Sequence, residues 1–215
     1  MFALPPVQAL PPASAFVSTV DNPYFPLRPG TTLRYEGTAD GERATDTVTV
    51  TRQAKTILGI KAVVVLDVAT LSGKASEKTY DWYAQDRRGN VWYLGEDSFD
   101  RKNGKWVLND GSWQAGVKGA KAGIIMEGKP RIGDTYRQEF YKGHAEDLGR
   151  VLRTGVSVST PYKSFRGALE TRDWSPLEPG VVERKYYARG IGEVKSFLAK
   201  GGAERMALVF VQRGN

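Results

Sequence analysis

Residues 80–94 read YDWYAQDRRGNVWYL, two aromatic-rich runs about a polar turn, the pattern of a β-hairpin. Residues 80–84 and 90–94 are rich in aromatic and β-branched side chains. They flank Gln85-Asp86-Arg87-Arg88-Gly89, whose Asp and Gly suit a tight reversal of an extended chain. Side chains alternate between the two faces of a strand, so Tyr80-Asp81-Trp82-Tyr83 sets an aromatic on each face of this hairpin.

The same period-two habit runs outward in both directions. Residues 45–52 place Val48 and Val50 on one face and Thr47, Thr49 and Thr51 on the other. Residues 61–69 carry Val63, Val64, Val65 and Leu66, a β-branched run suited to a strand buried on both sides. Phe99 and Trp106 bracket Asn103-Gly104, a type I′ turn signal. Further strands are expected over residues 135–141, 147–154, 168–174, 181–188, 193–199 and 205–212, with Gly201-Gly202 turning the last hairpin. The glycine-rich residues 111–128 read as a long loop with room for a short helix.

Segments of the two halves also resemble each other. Residues 29–35 (PGTTLRY) parallel 132–137 (IGDTYR), 57–60 parallel 165–169, and 80–94 parallel 186–197, in order and at offsets near 103 to 108 residues. The expected fold is therefore all-β with at most minor α. It takes the form of a strongly curved antiparallel sheet, a flattened barrel or a sandwich, built from two duplicated β-meanders with pseudo-repeats at about 29–110 and 132–212. Residues 1–20, with two Pro-Pro pairs and no basic or sustained apolar region, read as an extended segment of the kind left once a signal peptide or lipid anchor is removed. Residues 21–215 read as a single β domain.

Composition narrows the chemistry. The chain has no cysteine, which excludes disulfides, thiolate metal sites, cysteine nucleophiles and iron–sulfur clusters. A single histidine, His144, excludes HExxH and multi-histidine metal centres. Glu96-Asp97-Ser98-Phe99-Asp100 lacks the spacing of a calcium loop, and no phosphate loop or dinucleotide fingerprint occurs, so no metal or cofactor is expected. The net charge is +7, but acidic residues are interspersed with the basic ones throughout, and a nucleic-acid partner is not expected. No apolar run approaches the roughly 18 residues of a transmembrane segment.

Three classes of function stay open. The first is binding of a small apolar or amphiphilic ligand on the concave face of the sheet. Tyr80, Trp82, Trp92, Tyr136 and Tyr186 are the candidate lining residues, because Tyr and Trp join an apolar body to a polar tip. The second is a carboxylate-dependent hydrolase or lyase acting on a saccharide-like substrate. His144, Glu146 and Asp147 are its candidate catalytic residues, and Asp81, Glu96, Glu139 and Glu183 are further carboxylates of the right type. The third is an envelope structural or interaction protein with no small-molecule site.

Asp21-Asn22-Pro23-Tyr24-Phe25-Pro26-Leu27, the PGT at 29–31, Tyr35-Glu36-Gly37, residues 80–86, residues 89–96 (GNVWYLGE), residues 133–139 (GDTYRQE) and residues 177–183 (LEPGVVE) together resemble a recurring, uncharacterised bacterial family of predicted exported proteins and lipoproteins. The resemblance spans nearly the whole chain after residue 20 and implies an extracytoplasmic location, periplasmic or secreted. It brings no assigned catalytic residues, and this chain carries no lipobox cysteine. By analogy of fold alone, such meanders resemble the half-open sheets of periplasmic lipoprotein carriers, which implies a hydrophobic groove.

Overall fold

The computed structural model describes residues 4–214; residues 1–3 of the Pro/Ala-rich segment and Asn215 lie outside the described residues. The first half is a five-stranded meander of β1 (Thr32–Ala39), β2 (Glu42–Ile57), β3 (Ile60–Leu71), β4 (Lys74–Gln85) and β5 (Val91–Lys102). Two-residue turns join the first four strands. Asp40-Gly41, Leu58-Gly59 and Ser72-Gly73 each hold both residues at positive φ, the type I′ geometry whose twist matches that of the flanking strands. Asn103-Gly104 makes the same turn into β6 (Lys105–Leu108). The β4–β5 turn is longer and is organised by Asp86. Its carboxylate accepts from the Arg88 and Asn90 backbone N–H groups at 2.8 and 3.0 Å and from the Trp92 indole at 2.9 Å.

The glycine-rich stretch departs from expectation. Residues 111–128 hold no helix; they contain β7 (Trp113–Gln114) and β8 (Lys121–Met126), both paired with β5. Main-chain pairing with the long β5 satisfies these backbone groups, which an isolated turn of helix would leave half exposed.

The second half continues through β9 (Thr135–Arg137), β10 (Glu139–Phe140), β11 (Leu148–Ser159), β12 (Ser164–Trp174), β13 (Val182–Ala188), β14 (Gly192–Lys200) and β15 (Arg205–Gln212). All fifteen strands belong to one antiparallel sheet in which β15 returns to pair with β1. The ends of the sheet meet at one short segment: β9 pairs with β11, and β10, one residue further on, pairs with β8. Of the forms expected, the sheet therefore takes that of a nearly closed barrel. The only helix among the described residues is the 3-10 turn Ala13–Ala15.

The residues matched between the two halves fall unevenly. Residues 29–35 and 132–137 lead into β1 and β9, and residues 80–94 and 186–197 are the β4–β5 and β13–β14 hairpins. Residues 57–60, by contrast, are the β2–β3 turn, whereas 165–169 lie inside β12.

One end of the barrel is capped. Residues 13–17 run beside the β4–β5 turn, with the Val17 N–H donating to the Gln85 carbonyl and the Arg87 N–H to that of Ala15. The chain then folds into residues 20–27, pinned by Asn22. The Asn22 amide donates to the Gly89 and Glu127 carbonyls at 2.8 and 3.0 Å, and its side-chain oxygen accepts from the Tyr24 N–H at 2.8 Å. The β1–β2, β3–β4 and β5–β6 turns gather at the opposite end. Where β14 and β15 diverge, the tip of the β11–β12 hairpin fills the gap. The Tyr162 N–H donates to the Leu208 carbonyl, and Val158, Phe165 and Ala168 join Leu33, Val194 and Leu208 in a second core.

Candidate functional site

Inside the barrel lies a cavity of about 920 Å³, walled by β1–β5 and β13–β15 and floored by Phe25, Pro26 and Leu27 of the cap. That volume is at the upper end of the range for small-molecule sites. Which side chains face it follows from strand parity. Asp46, Val48 and Val50 point inward from β2, Val65, Asp67 and Ala69 from β3, Glu77, Thr79, Asp81 and Tyr83 from β4, and Glu183, Lys185 and Tyr187 from β13.

The walls divide by height. Asp46, Asp67 and Asp81 fall on a diagonal across β2, β3 and β4, because Val48 is opposite Asp67 and Val65 is opposite Asp81. Between that diagonal and the capped end the lining is mainly apolar or aromatic, with Leu33, Val48, Val50, Val65, Tyr83 and Ile191; the polar members are Thr31, beside Val50, and Glu193, opposite Tyr187. Towards the open end lie Glu77, Asp100, Glu183 and Glu204. The cavity is lined by nine carboxylates against three cations, in a protein whose net charge is +7.

A β-bulge gives this wall its chemistry. Tyr83 pairs with Tyr93 and Asp81 with Glu96, so β5 spends one residue more than β4 over this step. The extra residue lies at Leu94-Gly95, and Gly95 sits at φ +133° with its Cα against the Trp113 carbonyl of β7. Strict alternation would send positions 93 and 96 to opposite faces; the bulge turns both inward. The Tyr93 hydroxyl then lies 2.6 Å from Asp81 Oδ1 and 2.7 Å from Glu96 Oε2. A phenol has one proton to donate, so two contacts this short require one carboxyl to carry a proton and donate it to Tyr93. Burial, followed by the charge of Asp81, pushes Glu96 up to about 8. Burial pushes Asp81 up only to about 6, because the hydroxyls of Tyr93 and Tyr83 favour its ionised form. Glu96 is thus the proton holder at neutral pH.

The other carboxylates divide into proton-sharing and ion-paired groups. Asp67 donates to Asp46; burial first, then the hydrogen bond and charge of Asp46, hold Asp67 well above the usual carboxylate range. Lys185 lies 3.5 Å from Asp173 and 3.3 Å from Glu183. Burial works against its charge, but these partners outweigh it and hold the ammonium above its ordinary value. Burial likewise raises Glu193 to about 8, against the pull of Lys185. Among the described residues no group of three or more His, Asp or Glu side chains is arranged to hold a metal ion.

The five aromatics singled out from sequence lie elsewhere. Tyr80 and Trp82 have the outward parity of β4: Tyr80 meets Phe99 edge-on at 6.4 Å, and the Lys55 ammonium sits 3.1 Å above the Trp82 ring. Trp92 meets Phe16 edge-on at 6.5 Å and lines a second cavity, of about 450 Å³, between residues 8–15 and the barrel wall. Tyr136 is fully buried in the packed core, and Tyr186 stacks on Phe197 at 6.3 Å. None of the five is among the residues lining the main cavity.

His144 is exposed on the turn after β10 and stacks on Tyr141 at 4.3 Å; Glu146 accepts from the Gly143 N–H at 2.9 Å; Asp147 is exposed. None of these three lines the cavity either. Of the further carboxylates, Asp81, Glu96 and Glu183 do line it, while Glu139 accepts from the Trp113 indole at 2.7 Å. The sequence reading did not single out Asp46, Asp67 or Lys185, and it left Tyr83 and Tyr93 among the aromatics without choosing them as site residues. A signal for two of them was present: Asp46 is in phase with Val48 and Val50, and Asp67 with Val63 and Val65, so each sits on a buried face.

No family model and no curated protein matches this chain. Among solved structures, the chain is similar to a candidate lipoprotein from Parabacteroides distasonis, with 15% identity and a TM-score of 0.40 over 88% of this chain and 98% of that one. A likeness that distant transfers neither a ligand nor a location.

Proposed function

We propose that the protein is an extracytoplasmic binding protein whose barrel admits an apolar or amphiphilic ligand through its uncapped end. The observation that supports this reading is the cavity itself. It is about 920 Å³ in volume, apolar against the cap and polar towards the opening, which is the gradient an amphiphile presents end to end. No helix of the described residues is long and apolar enough to cross a membrane. The extracytoplasmic placement rests on the sequence resemblance to exported proteins.

Uptake of a solvatochromic dye, 1-N-phenylnaphthylamine, tests the reading. Its fluorescence should rise and shift to the blue, saturate at one dye per chain, and be lost in Ala69→Trp, whose indole would occupy the cavity. Absence of uptake, or unchanged uptake by Ala69→Trp, would overturn it.

A second reading, a hydrolase or lyase acting on a saccharide-like substrate, draws on the Asp81–Tyr93–Glu96 bridge. There a protonated and an ionised carboxyl stand side by side, as acid–base chemistry on a polar substrate needs. Turnover of an aryl glycoside that disappears in both Asp81→Asn and Glu96→Gln would favour it over binding alone.

A further inference from the structure

We propose that the ligand of this cavity carries an organic cation, an alkylammonium group, which the wall carboxylates Asp46, Asp67 and Asp81 receive while the apolar remainder lies against the cap. The proposal deepens the binding reading above and rests on it.

Three features of the wall carry it. First, the protein does not neutralise these carboxylates itself. Of the three cations lining the cavity, Lys185 is taken up by Asp173 and Glu183, Lys102 lies 3.0 Å from Asp100 beside the opening, and Arg101 follows the same strand end and lies over Trp106. Asp46, Asp67, Asp81 and Glu96 are left to divide protons among themselves. Second, Asp46 and Asp67 stand side by side on adjacent strands, close enough for Asp67 to donate to Asp46, so two like-charged groups face the same open cavity. Two carboxyls held together repel once both are ionised, and a cation between them relieves that repulsion. Third, the apolar lining begins immediately beyond the diagonal: Val48 follows Asp46 inward along β2, and Val65 lies between Asp67 and the capped end on β3. A molecule entering tail first therefore stops with its head at the carboxylates.

A ligand filling the cavity must strip water from these groups, and its own head decides whether that is tolerable. A carboxylate head would add like charge, and an alcohol would supply one donor and no charge. An ammonium supplies three N–H donors and the charge the wall lacks. It also makes the shared protons unnecessary, so binding should release protons to the solvent.

Calorimetry on the unaltered protein near pH 7 tests this, with dodecylammonium and dodecanoate below their micellar concentrations and dodecanol below its solubility limit. The ammonium should bind roughly ten- to hundred-fold tighter than the alcohol, the worth of one or two charged hydrogen bonds, and the carboxylate should bind weakest. The ammonium heat should also change with the ionisation enthalpy of the buffer, as proton release requires. The pair Asp46→Asn with Asp67→Asn should erase the preference. Dodecanol or dodecanoate binding as tightly as the ammonium would overturn the cationic assignment and leave the apolar cavity standing. Failure of all three to bind would overturn the binding reading itself, and this inference with it.

Discussion

Glu96 is the residue at which the interior electrostatics can be tested without a ligand. Its ordinary value is 4.5 and burial raises it to about 8 in the folded chain. Between those values the native protein holds a proton that the unfolded chain has released, so stability falls as pH rises through that window and levels off above it. Asp81, raised to about 6, adds to the fall in the lower part of the window, and Glu193, at about 8, acts as Glu96 does. Glu96→Gln keeps the shape of the protonated carboxyl and cannot ionise. Urea denaturation should find the variant more stable than the parent by about 4 kcal/mol near pH 8, with the difference falling below about 1 kcal/mol by pH 5. Parallel pH profiles for the two proteins would show that Glu96 is not a buried acid. Tyr93→Phe has the opposite sign: it removes the donor that keeps Asp81 ionised, and should cost about 1–3 kcal/mol at neutral pH by the same measurement.

At the level of strands and turns, the bulge at Leu94-Gly95 is the device that assembles the site. A Cβ on Gly95 would fall 2.3 Å from the Trp113 carbonyl, at a φ that side chains resist, so Gly95→Ala should cost about 3 kcal/mol of stability. Asn22 does comparable work at the cap. Asn22→Ala leaves the Gly89 and Glu127 carbonyls and the Tyr24 N–H without their partner, and should cost about 2 kcal/mol while raising amide hydrogen exchange over residues 20–27. Most of the strands were legible in the sequence because alternation and turn residues are local signals; Asn103-Gly104 turns where its dipeptide says it should. The site was not. Tyr80-Asp81-Trp82-Tyr83 announces two faces, but only the closing of the sheet decides that Asp81 and Tyr83 look inward and Tyr80 and Trp82 outward. The bulge conceals the rest, since one extra residue reverses the parity of everything beyond it. Strands β7 and β8 were hidden for a related reason: they are short, glycine-bordered, and extended because β5 is there to pair with them.

Across the whole molecule, closure depends on β1 pairing with β15 from the far end of the sequence, and on the short β9–β10 segment, which bridges β11 and β8. Local patterning does not encode such pairings, so a curved sheet, a barrel and a sandwich read alike until the chain is folded. Closure also sorts the charge. Residues spread evenly along the sequence become an acidic interior inside a basic protein, which is why a net charge of +7 gave no hint of the cavity. On the binding reading this interior is a place for a ligand. A crystal structure of the protein soaked with ω-bromododecanol, whose neutral head makes the test independent of the ligand's charge, addresses it most directly. An anomalous bromine peak is expected against Leu33, Val48, Val50 and Val65 near the cap. Bromine found only on the outer surface, with the interior unchanged, would contradict it.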